Sequence, residues 1–323
     1  MLGERDAGMV SRAQGCLLGQ LCGDALGSLV EFCTPGEIRR RYPGGVRDLE
    51  DGGTWNTIAG QPTDDSELAL ALARTLVAEG RFRGESVSAA YVEWLRSGPF
   101  DVGTTTSAGL LGHPNRHSES NGALMRVSPL GIFGALQPPE RVAEWARQDA
   151  AITHPSELCR QASAVYAAAI AHAVRHGCPP AELHQRAARW AREADADRRL
   201  QKALDRAADT PPEDYVSEQG WVLIALQNAF WQLLHAESLE EAVVDTVMRG
   251  GDTDTNAAIC GALAGAVWGL EAVPQRWVAA VIACRPEAGR PGVRHPRPPR
   301  YWPCDALDLA ERLLEAGATL HAG

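Results

Sequence analysis

The spacing of apolar residues in this chain is helical almost throughout. Apolar positions recur with the period of an α-helix, and the alternation of apolar and polar residues expected of half-buried strands is nearly absent. Alanine-rich runs at 162–173 and 257–266 strengthen this pattern, because alanine has the highest helix propensity. The sequence therefore predicts an all-α fold, with helices at about 10–23, 65–79, 85–96, 139–150, 156–176, 180–192, 217–235, 239–248, 255–269 and 304–316.

The length and composition of the chain are those of an ordinary globular protein. It has 323 residues, of which 45% are hydrophobic and 22% are charged, and its formal net charge is -10. A surface of this charge disfavours non-specific binding to nucleic acid. No tandem repeat or low-complexity linker divides the sequence, so we expect one domain at 12–317, preceded by an N-terminal extension at 1–11.

The cysteines indicate free thiols in a reducing compartment. Eight are scattered along the chain without a C-x-x-C pair, which argues against a zinc site or a thioredoxin-like site. No signal peptide is visible, and the apolar stretch at 16–30 is broken by Gln20 and Asp24, which makes it too short and too polar to span a bilayer. We therefore expect a cytoplasmic protein that has no membrane partner.

Two of the predicted helices carry glycine at every fourth position. Glycine costs a helix about 1 kcal/mol relative to alanine, so three glycines on one face need a structural reason. Close contact between helices is the reason we expect, since Gln20 and Asp24 exclude the membrane dimerisation that such spacing can mark. The glycines are Gly19, Gly23 and Gly27 in one helix and Gly261, Gly265 and Gly269 in the other.

Two long connections are rich in glycine and proline. The first, at 33–62, has a length that is often found in functional loops. The second, at 289–303, carries four arginines, and we expect a solvated connector there rather than a phosphate-binding loop. These arginines are Arg290, Arg294, Arg297 and Arg300.

Two acidic clusters stand immediately before apolar helices. They are the segments 63–67, Thr-Asp-Asp-Ser-Glu, and 250–256, Gly-Gly-Asp-Thr-Asp-Thr-Asn. Asp and Thr are favoured helix caps, and acidic residues suit a first turn, so capping is one interpretation. One side chain caps a helix, however, and paired carboxylates repel each other unless a cation lies between them. Oxygen ligands of this kind select Mg²⁺, Mn²⁺ or Ca²⁺, so a metal site is the second interpretation, and spacing alone leaves both open.

A resemblance to a known protein family gives the acidic clusters a more specific interpretation. The run Pro62-Thr63-Asp64-Asp65, followed far downstream by the segment 250–256, resembles the paired metal motifs of the ADP-ribosylglycohydrolase family, which includes the dinitrogenase reductase-activating glycohydrolases. Further segments match in the same order, at 15–31, 101–105, 120–126, 153–155 and 301–303. The resemblance extends from about 12 to 316, and this ordered set is much more specific than a lone Thr-Asp-Asp.

The resemblance implies a single-domain orthogonal multi-helix bundle with a binuclear metal site that holds Mg²⁺ or Mn²⁺. The implied metal ligands are Thr63, Asp64, Asp65, Asp252, Asp254 and Thr255. The implied catalytic residues are Glu31, Asp65 and Asp101, and the implied substrate-binding residues are Asp101, Ser120, Asn121, Gly122, His154 and Gly251.

Several of these assignments have a structural alternative. Glu31 could be a surface residue at a helix end, and His154 could be a packed or capping residue. Arg126 is expected to be structural, and Trp55 either stacks on adenine or pins the loop that carries it. Trp221 falls on a predicted helical face, where we expect it in the core.

The implied activity is hydrolysis of the bond between C1″ of the distal ribose of ADP-ribose and a modified protein side chain. Such reactions pass through an oxocarbenium-like state and usually involve two carboxylates, and hard cations can orient ribose hydroxyls and lower the pKa of a water molecule. The substrate would be an ADP-ribosylated protein, and ADP-ribose would be the product.

Arginine is the modified residue that we expect, because a carboxylate matches the guanidinium in two-point fashion. Asp101 would supply that carboxylate from a predicted loop ahead of a helix starting near Thr104, unless it is an ordinary turn residue. Serine-linked ADP-ribose or O-acetyl-ADP-ribose is the alternative substrate. A non-catalytic relative is disfavoured because all six implied ligand positions are intact.

Overall fold

Helices make up most of the chain in a computed structural model that describes residues 7–320. The α-helices are Ala7–Gly27 (α1), Pro35–Arg41 (α2), Asp64–Glu79 (α3), Gly84–Arg96 (α4), Thr104–Leu110 (α5), Ser128–Phe133 (α6), Pro139–Thr153 (α7), Glu157–His176 (α8), Pro180–Glu193 (α9), Arg198–Arg206 (α10), Val222–His235 (α11), Leu239–Met248 (α12), Thr253–Trp268 (α13), Gln275–Ala283 (α14) and Ala306–Thr319 (α15). Within these residues the only β-pairing is two isolated bridges. The all-α prediction is confirmed.

All ten predicted helices are present, and the differences lie at their ends and between them. Residues 7–11 of the expected extension belong to α1, and residues 1–6 lie outside the described residues. The helix predicted from 217 begins at Val222, because Gly220 has a φ of 82° and Trp221 is extended at the N-cap. No helix within 7–320 is both long and apolar enough to cross a membrane.

Besides α5, which begins at Thr104 where a helix start was expected, four short helices were not predicted, namely α2, α6, α10 and α14. They contain six to nine residues each, which is too short for a helical period to be recognised. The expected loop at 33–62 therefore contains α2, which begins with a capping box between Thr34 and Glu37. The pattern Thr-Pro-Gly-Glu is the signal in the sequence for the start of this helix.

An antiparallel pair of buried helices, α1 and α13, forms the centre of the molecule. Every residue from Gly15 to Gly27 in α1 and from Thr253 to Ala266 in α13 is buried. A Cβ atom on Gly19 would lie 2.1 Å from the carbonyl oxygen of Gly261. One on Gly265 would lie 1.9 Å from the carbonyl oxygen of Gly15. The predicted glycine contact is confirmed, and any side chain at these positions would force the two backbones apart.

The other helices surround this pair and share one hydrophobic core. Helices α8, α11 and α12 pack against α13, and α6, α8, α14 and α15 pack against α1. The buried apolar side chains form one connected cluster between Ala13 and Leu313, so the described residues form a single domain.

The connection at 289–303 is less exposed than predicted. Arg297 is 5% exposed, and its guanidinium binds the buried carboxylate of Glu67 in the first turn of α3. This arginine also donates to the backbone oxygen and hydroxyl of Ser97 at the end of α4. The connection is therefore anchored in the interior at Arg297.

Candidate active site

A cleft of about 410 Å³ opens where the C-terminal end of α1 meets the N-terminal ends of α3 and α13. Both acidic clusters of the sequence are at this point, because α3 and α13 begin with them. The residues that line the cleft are Glu31, Phe32, Asp64, 101–106, 120–122, Met125, His154, Gln219, Gly220, Asp252, Asp254 and Thr255.

The first group of carboxylates lies at the base of the cleft. One carboxylate oxygen from each of Asp24, Asp65 and Asp254 lies within 4.8 Å of the others, and all three residues are buried. Oδ1 of Asp65 and Oδ2 of Asp254 are buried without a hydrogen-bond partner. Two buried, unpartnered carboxylate oxygens are the arrangement that a cation would satisfy.

A second group shares Asp254 with the first. Oxygen atoms of Glu31, Asp101 and Asp254 also lie within 4.8 Å of one another. Glu31 is oriented by Trp55, whose indole N–H donates to Oε2. Asp254 belongs to both groups, so the acids form one continuous centre that extends from Asp24 to Glu31 and Asp101 in the cleft lining.

Helix capping does not account for the acidic segments that precede α3 and α13. Neither Thr63 at the N-cap of α3 nor Asp252 at the N-cap of α13 makes a side-chain capping bond. The N-terminus of α3 is capped from α1 instead, where the Asp24 carboxylate accepts hydrogen bonds from the N–H groups of Thr63 and Ser66. The capping interpretation therefore fails for the two residues at which it was most natural.

Burial raises the pKa of the carboxyl groups in the centre, and their neighbouring carboxylates add to the effect. The pKa of Asp64 rises to about 6, that of Glu31 to about 8 and that of Asp101 to about 10. The pKa values of Asp65 and Asp254 rise well above the usual range for the same two reasons. The charged forms are therefore unfavourable unless cations stabilise them.

No basic side chain within residues 7–320 neutralises these acids. The two buried ion pairs in this part of the chain, Arg126–Asp149 and Glu67–Arg297, use other carboxylates. All the ligand atoms on offer are oxygens, which suits a hard divalent cation. The residues of the centre therefore fit such cations.

The remaining predicted metal residues surround the two groups. The Thr63 hydroxyl lies 2.8 Å from Oδ1 of Asp24 and 3.0 Å from Oδ2 of Asp65. Asp64 accepts a hydrogen bond from the N–H of Gly103, and Asp252 accepts one from the side-chain amide of Asn121. Asp64, Asp252 and Thr255 line the cleft, whereas Thr63 and Asp65 lie beneath it.

Four predicted substrate-binding residues form a polar wall on one side of the cleft, namely Ser120, Asn121, Gly122 and His154. Nε2 of His154 lies 2.9 Å from the Ser120 hydroxyl, and Nδ1 lies 2.7 Å from the hydroxyl of Thr153. Burial and the nearby Arg126 lower the pKa of His154 to about 3, so this imidazole is neutral. A Cβ on Gly122 would lie 2.9 Å from the imidazole, which explains glycine at that position.

Two residues that the sequence had suggested for substrate contact, Gly251 and Trp55, lie outside the cleft lining. The N–H of Gly251 donates to Cys33 and its carbonyl accepts from Phe32, and Gly251 is not part of the cleft lining. With a φ of 75°, it makes the turn that brings Asp252 to the cleft. Trp55 is also outside the lining, and its indole N–H holds Glu31, a role that neither interpretation of this residue included.

The site also contains residues that the sequence analysis did not select. Asp24 was noted for its polarity inside an apolar helix and as part of a matching segment, but it was not assigned to the site. Trp221 was expected in the core, but it is half-buried and lines an outer groove together with His117 and Glu218. This groove joins the cleft, because Ser120, Gln219 and Gly220 line both.

The fold and the site define an all-α protein with a candidate binuclear metal centre at the base of an elongated groove. Comparison with known families is more specific, because a family model described as ADP-ribosylglycohydrolase matches residues 5–319. The chain belongs to the ADP-ribosylglycohydrolase family, whose members are hydrolases acting on glycosyl bonds.

Individual relatives agree with this assignment. The chain is 31% identical to an ADP-ribosyl-[dinitrogen reductase] glycohydrolase from Rhodospirillum rubrum over 83% of this chain and 89% of that protein. It is 28% identical to the ADP-ribosylarginine hydrolase Tri1 from Pseudomonas putida (strain GB-1) over 83% of this chain and 74% of that protein. A solved structure described as an ADP-ribosylglycohydrolase-related protein complex superposes with a TM-score of 0.79 at 28% identity, covering 96% of this chain and 99% of the other.

Proposed function

We propose that the protein hydrolyses the bond between C1″ of ADP-ribose and an arginine side chain of a modified protein. The observation that carries this proposal is the double carboxylate centre around Asp254, which lies at the base of an elongated polar groove. The names of two relatives, one acting on ADP-ribosyl-dinitrogen reductase and one on ADP-ribosylarginine, support the substrate class.

The shape of the groove supports the orientation of the substrate. The outer groove offers the half-buried Trp221 and the exposed His117 as surfaces for the adenosine. The polar wall, with Ser120 and Asn121, lies between the outer groove and the acidic centre. ADP-ribose laid along this path has its distal ribose beside Glu31 and Asp101.

Two hard divalent cations, Mg²⁺ or Mn²⁺, would be held by Thr63, Asp64, Asp65, Asp252, Asp254 and Thr255, and Asp24 lies within reach of the same centre. When bound, such cations supply fixed positive charge for the ribose hydroxyls and a water molecule of lowered pKa. Asp65 lies beneath the cleft, so we assign it to holding a cation rather than to touching the substrate.

Glu31 is the residue that we propose as the general base. Its Oε2 is held by the Trp55 indole, so Oε1 remains to accept a proton from water. Burial raises the pKa of Glu31 to about 8, and bound cations would lower it again, which favours the ionised form that a general base requires.

Asp101 is the residue that we propose as the guanidinium partner. It lines the cleft beside Glu31, in the loop between α4 and α5, and no basic side chain of the described residues is paired with it. The neighbour of Asp101 is another acid, Asp64, so a planar cation that enters here would favour the ionised form of Asp101, and a serine linkage offers no such cation.

The test compares Asp101→Asn with the parent on one peptide carrying ADP-ribose on arginine or on serine. The arginine substrate should lose more rate, by the roughly 2–5 kcal/mol of a broken buried charge pair. An equal loss on both linkages would assign Asp101 to ribose or cation binding. Faster release by the parent from serine or from O-acetyl-ADP-ribose would favour the alternative substrate, and no release from any of them would favour a non-catalytic relative.

We also propose a cytoplasmic location. All eight cysteines are free, and six of them are buried, as expected in a reducing compartment.

A further inference from the structure

Phe32 is an exposed aromatic residue at the rim of the cleft. Among the large hydrophobic side chains of residues 7–320, only Phe32, at 54%, and Leu111, at 65%, are exposed. Phe32 follows Glu31 directly and lines the cleft, so its apolar surface adjoins the acidic centre. Burying this ring in the core would have been more favourable for stability alone.

The backbone holds Phe32 in a strained conformation. Its φ is 65°, in the left-handed region that bulky residues rarely adopt. The conformation is fixed because the N–H of Phe32 donates to Gly251, and the carbonyl of Glu31 accepts from the Thr54 hydroxyl. Strain that the surroundings enforce at a cleft is characteristic of functional positions.

Phe32 begins a row of aromatic rings beside the acids. Its ring centroid lies 6.5 Å from that of Trp55, at an interplanar angle of 72°. The Trp55 centroid lies 6.0 Å from that of Phe100, which directly precedes Asp101. We call Phe32, Trp55 and Phe100 the aromatic rim. It flanks Glu31 and Asp101, so aromatic faces and carboxylates lie together beside the cleft.

The aromatic rim is separate from the residues that the cleft shares with the outer groove. The outer groove meets the cleft at Ser120, Gln219 and Gly220, none of which belongs to the acidic centre or to the rim. If the distal ribose lies at Glu31 and Asp101, the side chain attached to its C1″ has to leave past the rim. An arginine side chain is a planar cation, which is attracted both to carboxylates and to aromatic faces.

We propose that Phe32 is a specificity-determining residue that stacks on the guanidinium of ADP-ribosyl-arginine while Asp101 pairs with its edge. This inference rests on the proposed arginine linkage. It predicts that Phe32 discriminates between linkages, because serine-linked ADP-ribose presents no cation to the ring.

The test uses the purified full chain with saturating Mn²⁺ and one peptide that carries ADP-ribose on arginine or on serine. Phe32→Ala should raise KM for the arginine substrate by about fivefold to thirtyfold, and the ratio of kcat/KM values, arginine over serine, should fall by a similar factor. Phe32→Tyr should keep the ratio of the parent, because tyrosine retains the aromatic face. Phe32→Leu, which retains apolar bulk without that face, should resemble alanine.

Two further measurements separate recognition from damage to the fold. The affinity for ADP-ribose, measured by calorimetry, should be the same in Phe32→Ala and the parent, because the proposed partner of Phe32 is the guanidinium, which free ADP-ribose lacks. Leu111→Ala, which removes the other exposed hydrophobic side chain, is the matched control and should leave the ratio unchanged.

Three results would overturn the inference. They are an equal loss on both linkages in Phe32→Ala, a parental ratio in Phe32→Leu, and an alanine-like ratio in Phe32→Tyr. A parent that releases no ADP-ribose from arginine overturns the proposed function as well. A parent that is active on arginine, with Phe32 variants that do not discriminate, overturns the inference alone.

Discussion

Glu67→Gln is the substitution whose effect on stability can be derived most fully from the structure. The Glu67 carboxylate accepts hydrogen bonds from Nε and Nη2 of Arg297, both at 2.8 Å, and from the indole of Trp94 at 2.7 Å. The side chains of Glu67 and Arg297 are each 2% exposed, so solvent does not screen their attraction. Glutamine keeps the size and the bond from Trp94 but leaves Arg297 charged and unpaired.

The expected loss in the free energy of unfolding is about 3–5 kcal/mol, the usual cost of removing one partner from a buried ion pair. The measurement is urea denaturation of the parent and the variant, followed by both fluorescence and circular dichroism. The control is Glu182→Gln, since the Glu182–Arg186 pair on α9 is 46% and 37% exposed and should cost no more than about 0.5 kcal/mol.

A double variant separates the unpaired charge from other effects. Adding Arg297→Met to Glu67→Gln removes the orphaned cation, so part of the lost stability should return. A loss below about 1 kcal/mol in Glu67→Gln, or a double variant less stable than the single one, would refute the reasoning. Either result would mean that the pair does not hold the 289–303 connection to α3.

Two further predictions concern the helix pair and the polar wall. Gly19→Ala should lower the free energy of unfolding, measured in urea, by several kcal/mol, because its Cβ would lie 2.1 Å from the carbonyl oxygen of Gly261. The control, Gly36→Ala, should change this free energy little, because the nearest atom to its Cβ would be 3.6 Å away. Equal effects of the two substitutions would contradict the close packing. His154→Gln should flatten the dependence of stability on pH. Because the pKa of His154 falls from 6.5 to about 3 on folding, only the unfolded state takes up its proton between these values. The parent should therefore lose up to about 1.4 kcal/mol more than the variant per pH unit of acidification over this range; parallel pH profiles would show that the imidazole is not held neutral.

The sequence was most informative where a local pattern determines the structure. Helix periods predicted the ten longer helices, and the four-residue spacing of Gly19 and Gly261 predicted a close helix contact, because both patterns repeat within a single element. The acidic segments before α3 and α13 were recognised as a possible metal site for the same reason. Their meeting at the end of α1 depends on the antiparallel packing of α1 and α13, which no single segment encodes.

The residues that were missed depend on contacts between distant segments. Asp24 caps α3 from 39 residues away, and Arg297 binds Glu67 across 230 residues. The family resemblance implied that Gly251 binds the substrate, and in the structure its backbone bonds go to Phe32 and Cys33. A glycine that serves a ligand and one that serves a turn look alike in a sequence, and only the tertiary fold separates them.

The central claim is that the acids around Asp254 hold divalent cations on which hydrolysis depends. The most direct test measures the release of ADP-ribose from an arginine-linked peptide after exhaustive chelation and again after Mg²⁺ or Mn²⁺ is restored. The parent is compared with a double variant that carries Asp252→Asn and Asp254→Asn. We expect chelation to abolish release. Either ion should restore release in the parent and neither should restore it in the variant, which should bind less Mn²⁺ in calorimetry because two anionic carboxylates become neutral amides. Undiminished release after chelation, or full activity and Mn²⁺ binding in the variant, would contradict the account.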